Sequence, residues 1–338
     1  MKKKVAFITG ITGMVGSHLS EFLFQNTDWE IVGMIRWRSS LNNIKNLISS
    51  INTTSRVRLV YADLRDTQSV NEAIKLIKPD YLFHLAAQSY PKTSFISAND
   101  TYDTNIQGTS RILEALKNYS PTCITHICSS SEVYGRVSKD KLPIDENCSF
   151  HPASPYAISK VGTDLIGRFY AEAYKMKVMT TRMFTHTGPR RGDVFAESTF
   201  AKQIALIERG FLKPIVKVGN LKSLRTIADV RDAVRAYYML LTINPVGGES
   251  YNIGGNFTCT IGEILDYLLS LSKVDNIKVK VDKNRLRPID ADLQIPNPKK
   301  FTNHTGWEPK IPFEKTMLDL LNYWRDEVEK NGDLYLDR

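Results

Sequence analysis

Short, apolar, largely β-branched runs recur through the first half of the chain, at Val5–Thr9, Ile31–Ile35, Val57–Tyr61, Tyr81–Leu85, Ile124–Cys128 and Val178–Met183. Between them the apolar positions take helical spacing, over Val15–Phe24, Val70–Ile77 and Thr101–Leu116. A strand covered by helices on both faces loses the alternation of a half-exposed strand and becomes apolar almost throughout. The pattern therefore predicts an α/β fold built on a Rossmann-type, doubly wound parallel sheet.

After Gly192 the alternation loosens. Helical patterns over Phe195–Glu208, Val230–Leu241, Ile261–Leu271 and Phe313–Val328 are separated by short strands near Ile215–Val218 and Ser250–Ile253. Residues 1–192 are expected to form the sheet domain, and residues 193–338 mainly a smaller α/β lobe, with some later segments returning to the first domain. No internal repeat, low-complexity tract or flexible linker divides the two, so the lobe is expected to pack tightly on the sheet.

Composition narrows the class. The 338 residues suffice for a large core, and 42% hydrophobic with 24% charged residues is ordinary for a folded enzyme. The cysteines, Cys123, Cys128, Cys148 and Cys259, lack the close spacing of a zinc site, and a chain of this length needs no disulfide framework, which suits a reducing cytoplasm. The apolar run after Met1-Lys-Lys-Lys4 stops at Thr9-Gly10, too short for a secretion signal, and no segment approaches the length that crosses a bilayer. The six histidines form no ligand cluster, so no metal is expected. A net charge of +9 is spread among acids and no nucleic-acid module is recognisable, so a phosphorylated small substrate accounts for the sign better than nucleic acid or membrane.

Chemistry enters at two places. Gly10-Ile-Thr-Gly13-Met-Val-Gly16 follows the first strand and opens a helix, where glycines permit a tight turn and free N–H groups attract a pyrophosphate. The second strand then ends in Arg36-Trp-Arg38-Ser-Ser40, with cations and hydroxyls where an NAD site carries a carboxylate. That favours NADP over NAD, because a guanidinium pairs well with a 2′-phosphate, and Arg36 is the better candidate than Arg38. Farther on, Ser154-Pro-Tyr156-Ala-Ile-Ser-Lys160 puts a phenol and an ammonium on one face of a helix. A nearby cation stabilises phenolate, so Lys160, helped by a positive nicotinamide, is expected to lower the pKa of Tyr156 toward working pH. Upstream, Ser129-Ser-Ser-Glu132 places a carboxylate among hydroxyls at a strand end, costly unless it is paired or used.

At these residues the chain resembles the extended short-chain dehydrogenase/reductase family and, within it, the GDP-mannose 4,6-dehydratases. The resemblance covers nearly the whole length through Ile8–Gly13, Arg36–Ser40, Ala87–Ser89, Ser129–Gly135, Ser154–Ala157, Gly188–Gly192, Gly219-Asn220, Ser223–Arg225 and Gly306-Trp307. It implies a catalytic set of Ser130, Glu132, Tyr156 and Lys160. On the cofactor side it implies Gly10, Thr12, Gly13, Met14, Val15 and Gly16, then Arg36, Asp63 and Leu64, then Leu85, Ala86, Ala87 and Gln88, with Tyr156, Lys160 and Arg191. For the substrate it implies Arg225 and Arg287 on a nucleotide diphosphate, Ser89 and Ser94 lining the sugar pocket, and contacts from Ser130, Thr185 and Asn220. The expected activity is loss of water from a GDP-sugar, GDP-mannose or a GDP-heptose, with NADP as cofactor, in a homodimer or homotetramer. Simple carbonyl reduction needs only the Ser, Tyr and Lys; an elimination also needs a carboxylate at Glu132.

The chain departs from the dehydratases at Thr185, where they carry Asn, and at Ser198-Thr199, where they carry a basic pair. Thr187–Pro189, Phe200–Ala205 and Asp229–Ala236 resemble instead the related GDP-4-keto-6-deoxymannose reductases. An NADPH-dependent reductase, a 4-epimerase or 4-oxidase, and a catalytically silent NADP-binding scaffold are the competing readings.

Overall fold

In the computed structural model, which describes residues 3–332 apart from 52, 54, 55, 287 and 290, the apolar runs become β1 (Val5–Thr9), β2 (Glu30–Ile35), β3 (Val57–Tyr61), β4 (Tyr81–His84), β5 (Ile124–Cys128) and β6 (Val178–Met183). They pair in parallel in the order β6-β5-β4-β1-β2-β3. The seventh strand is Ser250–Ile253, which joins the β6 edge in parallel. The chain reverses its winding between β1 and β4, and in sheets of this kind ligands bind beyond the strand ends at that reversal.

Two apolar layers explain why the central strands are buried, while β3 at the edge is only partly covered. On one face Ile8, Leu19, Ile31 and Phe83 pack with Val234, Tyr237, Leu241 and Trp307. On the other, Phe7, Val32 and Leu82 pack with Val70, Ile74, Ile112 and Leu116. The helix Val230–Thr242 and the strand Ser250–Ile253 thus return to the large sheet, so the chain crosses between the two units more than once. The remaining lobe has a separate core of Phe200, Ile204, Val216, Leu265, Leu320 and Trp324. It carries a small sheet in which Leu224–Asp229 pairs with Phe257–Thr260 and Leu293–Gln294, and a two-stranded sheet of Ile215–Val218 with Lys278–Val281. Among the described residues no helix is long and apolar enough to cross a membrane.

The helical run expected over Thr101–Leu116 is broken. It comprises Ala98–Tyr102, a wide π turn over Asp103–Gln107, and Gly108–Tyr119. The break centres on buried Asn105, whose side chain accepts from the Gln88 N–H (2.8 Å) and donates to Gln88 O (3.0 Å) and Ser159 Oγ (2.8 Å). Such wide turns are frequent at functional sites, and this one ties the loop after β4 to the helix Pro155–Tyr174.

Two histidines lie inside the sheet. His84 bonds Thr9 Oγ1 (2.9 Å) and Thr109 Oγ1 (3.1 Å), while His126 bonds Thr181 Oγ1 (2.8 Å) and leaves Nδ1 buried without a partner. Burial drives both imidazoles from 6.5 down to about 3, so the folded chain holds them neutral. As pH falls below 6.5 the unfolded chain binds protons there that the folded chain refuses, and stability is lost at about 1 kcal/mol per pH unit for each ring until the folded pKa is reached. Denaturant unfolding at about pH 5 is expected to give lower stability than at about pH 7, with His126→Gln flattening the difference. An unchanged pH dependence in that variant would contradict a buried neutral ring.

Candidate active site

A cleft of about 1540 Å³ opens along the carboxyl ends of the sheet strands, between the sheet and the smaller lobe. Its first wall is the turn after β1. Gly10 has φ +74°, and a Cβ there would lie 2.9 Å from Ala86 Cα; at Gly16 a Cβ would lie 2.2 Å from Gly10 O. Only glycine lets this turn and the helix Met14–Asn26 come so close. That helix begins at Gly13 without a side-chain cap, so its first-turn N–H end faces the cleft ready for an anion. Thr12, Met14 and Val15 line the same wall.

Arg36 at the end of β2 also lines the cleft, whereas Arg38 and Ser40 do not. The tight turn behind Arg36 is closed by its N–H on Ser39 Oγ (3.0 Å) and by the Ser39 N–H on Arg36 O (3.0 Å). Asn43 pins the following loop to the glycine turn by donating to Thr12 O (2.9 Å). Asp63, at the end of β3, is raised by burial but held on balance below its ordinary pKa by hydrogen bonds and charge from Arg65, with Arg36 adding to the field. Leu64 lies beside it in the wall.

Leu85, Ala86, Ala87, Gln88 and Ser89 form the floor after β4. Thr9 Oγ1 accepts from the N–H groups of Leu85 and Ala86 (3.1 Å each), which fixes that floor to β1. Ser94, expected to line the sugar pocket, does not. It is fully buried, donating to Pro91 O and accepting from the Tyr156 N–H (3.0 Å), so its hydroxyl is spent on seating the helix rather than on the cleft.

That helix, Pro155–Tyr174, starts where Ser154 Oγ accepts the Ala157 N–H (3.0 Å) and Pro155 needs no donor. Tyr156 and Lys160 lie on one face, as the spacing predicts, and both line the cleft. The Lys160 ammonium donates to Cys128 O (2.7 Å) and sits 5.9 Å from the Tyr156 ring centre. The expected acidification of Tyr156 is not found in the protein alone. Burial pushes the phenol up, Cys128 and Glu132 add to the rise, and the Ser130 hydrogen bond and the charge of Arg191 oppose it without prevailing. Burial likewise lowers the pKa of Lys160. The physical reason is that the helix takes both groups out of water, and the ammonium is directed at a carbonyl rather than at the phenol oxygen.

Glu132 sits on the one-turn helix Ser131–Tyr134 after β5, half-buried in the cleft wall. Ser130 Oγ caps that turn by accepting the Glu132 N–H (3.2 Å), and the same hydroxyl lies near enough to Tyr156 to favour its ionised form. The turn ends at Gly135, φ +56°, where a Cβ would fall 1.6 Å from His151 O. The structure therefore brings Ser130, Glu132, Tyr156 and Lys160 together.

On the lobe side, Thr185, Arg191, Asn220 and Arg225 all line the cleft. Arg191 pairs with Glu197 (3.1 Å), and its guanidinium lies 3.4 Å from the Phe195 ring centre. Ser198 and Thr199 support that segment, donating to Arg191 O and Asp193 O (2.7 Å each). Arg225 donates to Leu224 O (2.8 Å) and Asp292 O (3.3 Å), and Asn220 to Ser223 Oγ (3.0 Å). Arg287 lies outside the described residues. The sequence reading missed Lys213, Lys217, Lys280 and Arg285, which line the same end. Lys217 and Lys280 stand opposite each other in register, like charges that repel unless an anion lies near them. The signal was the period-two alternation of Ile215–Val218 and Lys278–Val281, which puts Lys217 of the first strand and Lys278 and Lys280 of the second on one face.

Residues 7–320 match the GDP-mannose 4,6 dehydratase family. The chain belongs to that family. It is 31% identical to the GDP-mannose 4,6-dehydratase of Yersinia enterocolitica over 94% of this chain and 93% of the relative. Among solved structures it resembles RMD from Pseudomonas aeruginosa in complex with NADPH, at a TM-score of 0.80 and 26% identity, covering 96% of this chain and all of that one. It also resembles dTDP-glucose 4,6-dehydratase from Bacillus anthracis in complex with NAD, at a TM-score of 0.82 and 25% identity, covering 98% of each.

Proposed function

We propose that this protein is a nicotinamide-dependent 4,6-dehydratase of a GDP-sugar, GDP-mannose or a GDP-heptose, releasing water and a 4-keto-6-deoxy product. One observation carries the reading: a carboxylate, Glu132, stands in the same cleft wall as the Tyr156–Lys160 pair, near enough for its charge to be felt at the phenol. Family membership and near-full-length similarity to a GDP-mannose 4,6-dehydratase support the same reaction.

The residues present fit a dinucleotide. The uncapped helix end at Gly13 suits a pyrophosphate, and the apolar floor from Leu85 to Ala87 suits a flat ring. Held by the turn from Gly10 to Gly16 and the floor from Leu85 to Ala87, a nicotinamide would supply a reversible hydride acceptor, used at C4 of the sugar and then at C6. Tyr156 takes the C4 hydroxyl proton, a transfer that requires its raised pKa to fall once a cation lies over the site. The ketone at C4 acidifies the C5 hydrogen. Glu132 removes that proton, the C6–O bond breaks, and the hydroxyl leaves as water with a proton supplied by Glu132. Hydride at C6 and a solvent-exchanged proton at C5, balancing the one that Tyr156 took from the C4 hydroxyl, complete the product, with no net oxidation.

We assign NADP rather than NAD, because Arg36 reaches the cleft at the end of β2 where a carboxylate would hold a free 2′-hydroxyl. We assign the diphosphate to Arg225 with Arg287, and further propose a cytoplasmic homodimer or homotetramer. Ile158, Leu165 and Phe169 leave an exposed apolar stripe on the outer face of the helix Pro155–Tyr174, in keeping with such an assembly.

Glu132→Gln is expected to bind dinucleotide normally and still oxidise C4, but to lose water release by at least about 10²-fold, the range of a general base. Tyr156→Phe is expected to lose both steps. Unchanged turnover in Glu132→Gln would remove that carboxylate from the reaction. Arg36→Ala is expected to weaken NADP by about tenfold or more, one charge-assisted hydrogen bond, and to leave NAD binding nearly unchanged. Calorimetric titration with the two dinucleotides checks this, and equal losses for both would contradict the 2′-phosphate assignment.

A further inference from the structure

A second set of buried charges lies behind the cleft and touches none of its groups directly. Arg182 on β6 is buried and bonds Asp164 through two nitrogens, Nε (2.8 Å) and Nη2 (3.0 Å). Asp164 stands one turn beyond Lys160 on the helix Pro155–Tyr174. Arg182 Nη1 donates to the hydroxyl of Tyr134 (3.0 Å) and to Glu146 O (2.9 Å), and its guanidinium faces the Tyr134 and Phe150 rings. The Tyr134 hydroxyl donates in turn to Asn252 Oδ1 (2.7 Å), and the Asn252 N–H donates to Glu146 Oε1 (2.7 Å). Tyr134 is fully buried and closes the one-turn helix on which Glu132 rides.

One guanidinium therefore joins the helix that carries Tyr156 to the turn that carries Glu132. Ser130 lies near both groups, and each is further seated by its own contacts, Tyr156 through Ser94 and the Ser154 cap, Glu132 through its N–H on Ser130 and the Tyr134 end of its turn. We infer that Tyr134, held by Arg182 and Asn252, is a positioning residue for the elimination step, fixing Glu132 relative to Tyr156. This rests on Glu132 acting as the base.

The test separates the two steps in a single turnover of the holoenzyme with GDP-mannose, following reduced nicotinamide by absorbance and water loss by product mass. Tyr134→Phe keeps the ring and removes only the hydroxyl. It is expected to slow water loss and solvent-deuterium entry at C5 by about 10²-fold, the cost of a misplacement near 1 Å, with nicotinamide reduction at its wild-type rate. Asn252→Ala, which deletes the acceptor of the same hydroxyl, is expected to show the same split. Because the readout is a ratio of steps within one turnover, a smaller folded fraction does not move it. Equal loss of both steps, or loss of neither, overturns the positioning role. Glu132→Gln run in parallel tells the failures apart: if it releases water normally, the assignment of the base falls, and if it does not while Tyr134→Phe does, only the positioning role falls.

Discussion

The seating of the helix Pro155–Tyr174 against the ends of β5 and β6 is the constraint on which the site depends. It buries an ammonium and a carboxylate, and a buried charge is tolerated only when paired or hydrogen-bonded. Lys160 meets that demand through Cys128 O, and Asp164 through Arg182. Ser129 adds a bond from its hydroxyl to Lys160 O (3.1 Å). With the helix locked in this way, Tyr156 has one position relative to the end of β5, and Glu132 follows from the turn that begins there.

The same burial that fixes the pair also suppresses the acidity of the phenol. Tyr156 rises and Lys160 falls because each is taken out of water, so the protein alone holds phenol rather than phenolate. A phenol held this way becomes a base only when positive charge arrives beside it. The lobe supplies the opposite character: Lys213, Lys217, Lys280 and Arg285 are exposed and cationic, suited to an anionic substrate that enters from solvent.

Much of this was legible in the chain. Doubly covered strands announce themselves as continuous apolar runs, and a glycine turn after the first of them, with Tyr156 and Lys160 one helical turn apart, locates both ends of the cleft. Other features were not legible for physical reasons. Ser250–Ile253 is too short to reveal which sheet it joins, since four residues of any strand look alike. The break at Asp103–Gln107 depends on what Asn105 meets from Gln88 and Ser159, distant in sequence. Ser94 looked like a pocket hydroxyl because sequence does not show that the Tyr156 N–H lies above it. How far burial raises the phenol of Tyr156 before any ligand binds was not legible, because spacing shows a cation nearby but not how much water is excluded.

The account stands on an acid group and a phenol serving one sugar in succession, with the hydride kept inside the enzyme. Conversion of GDP-mannose in deuterated water, followed by mass spectrometry and proton NMR of the product, tests this most directly. The account predicts a nucleotide sugar lighter by one water, deuterium at C5, and no consumption of reduced or oxidised cofactor. A product of unchanged mass, or one formed only as NADPH is consumed, would contradict it.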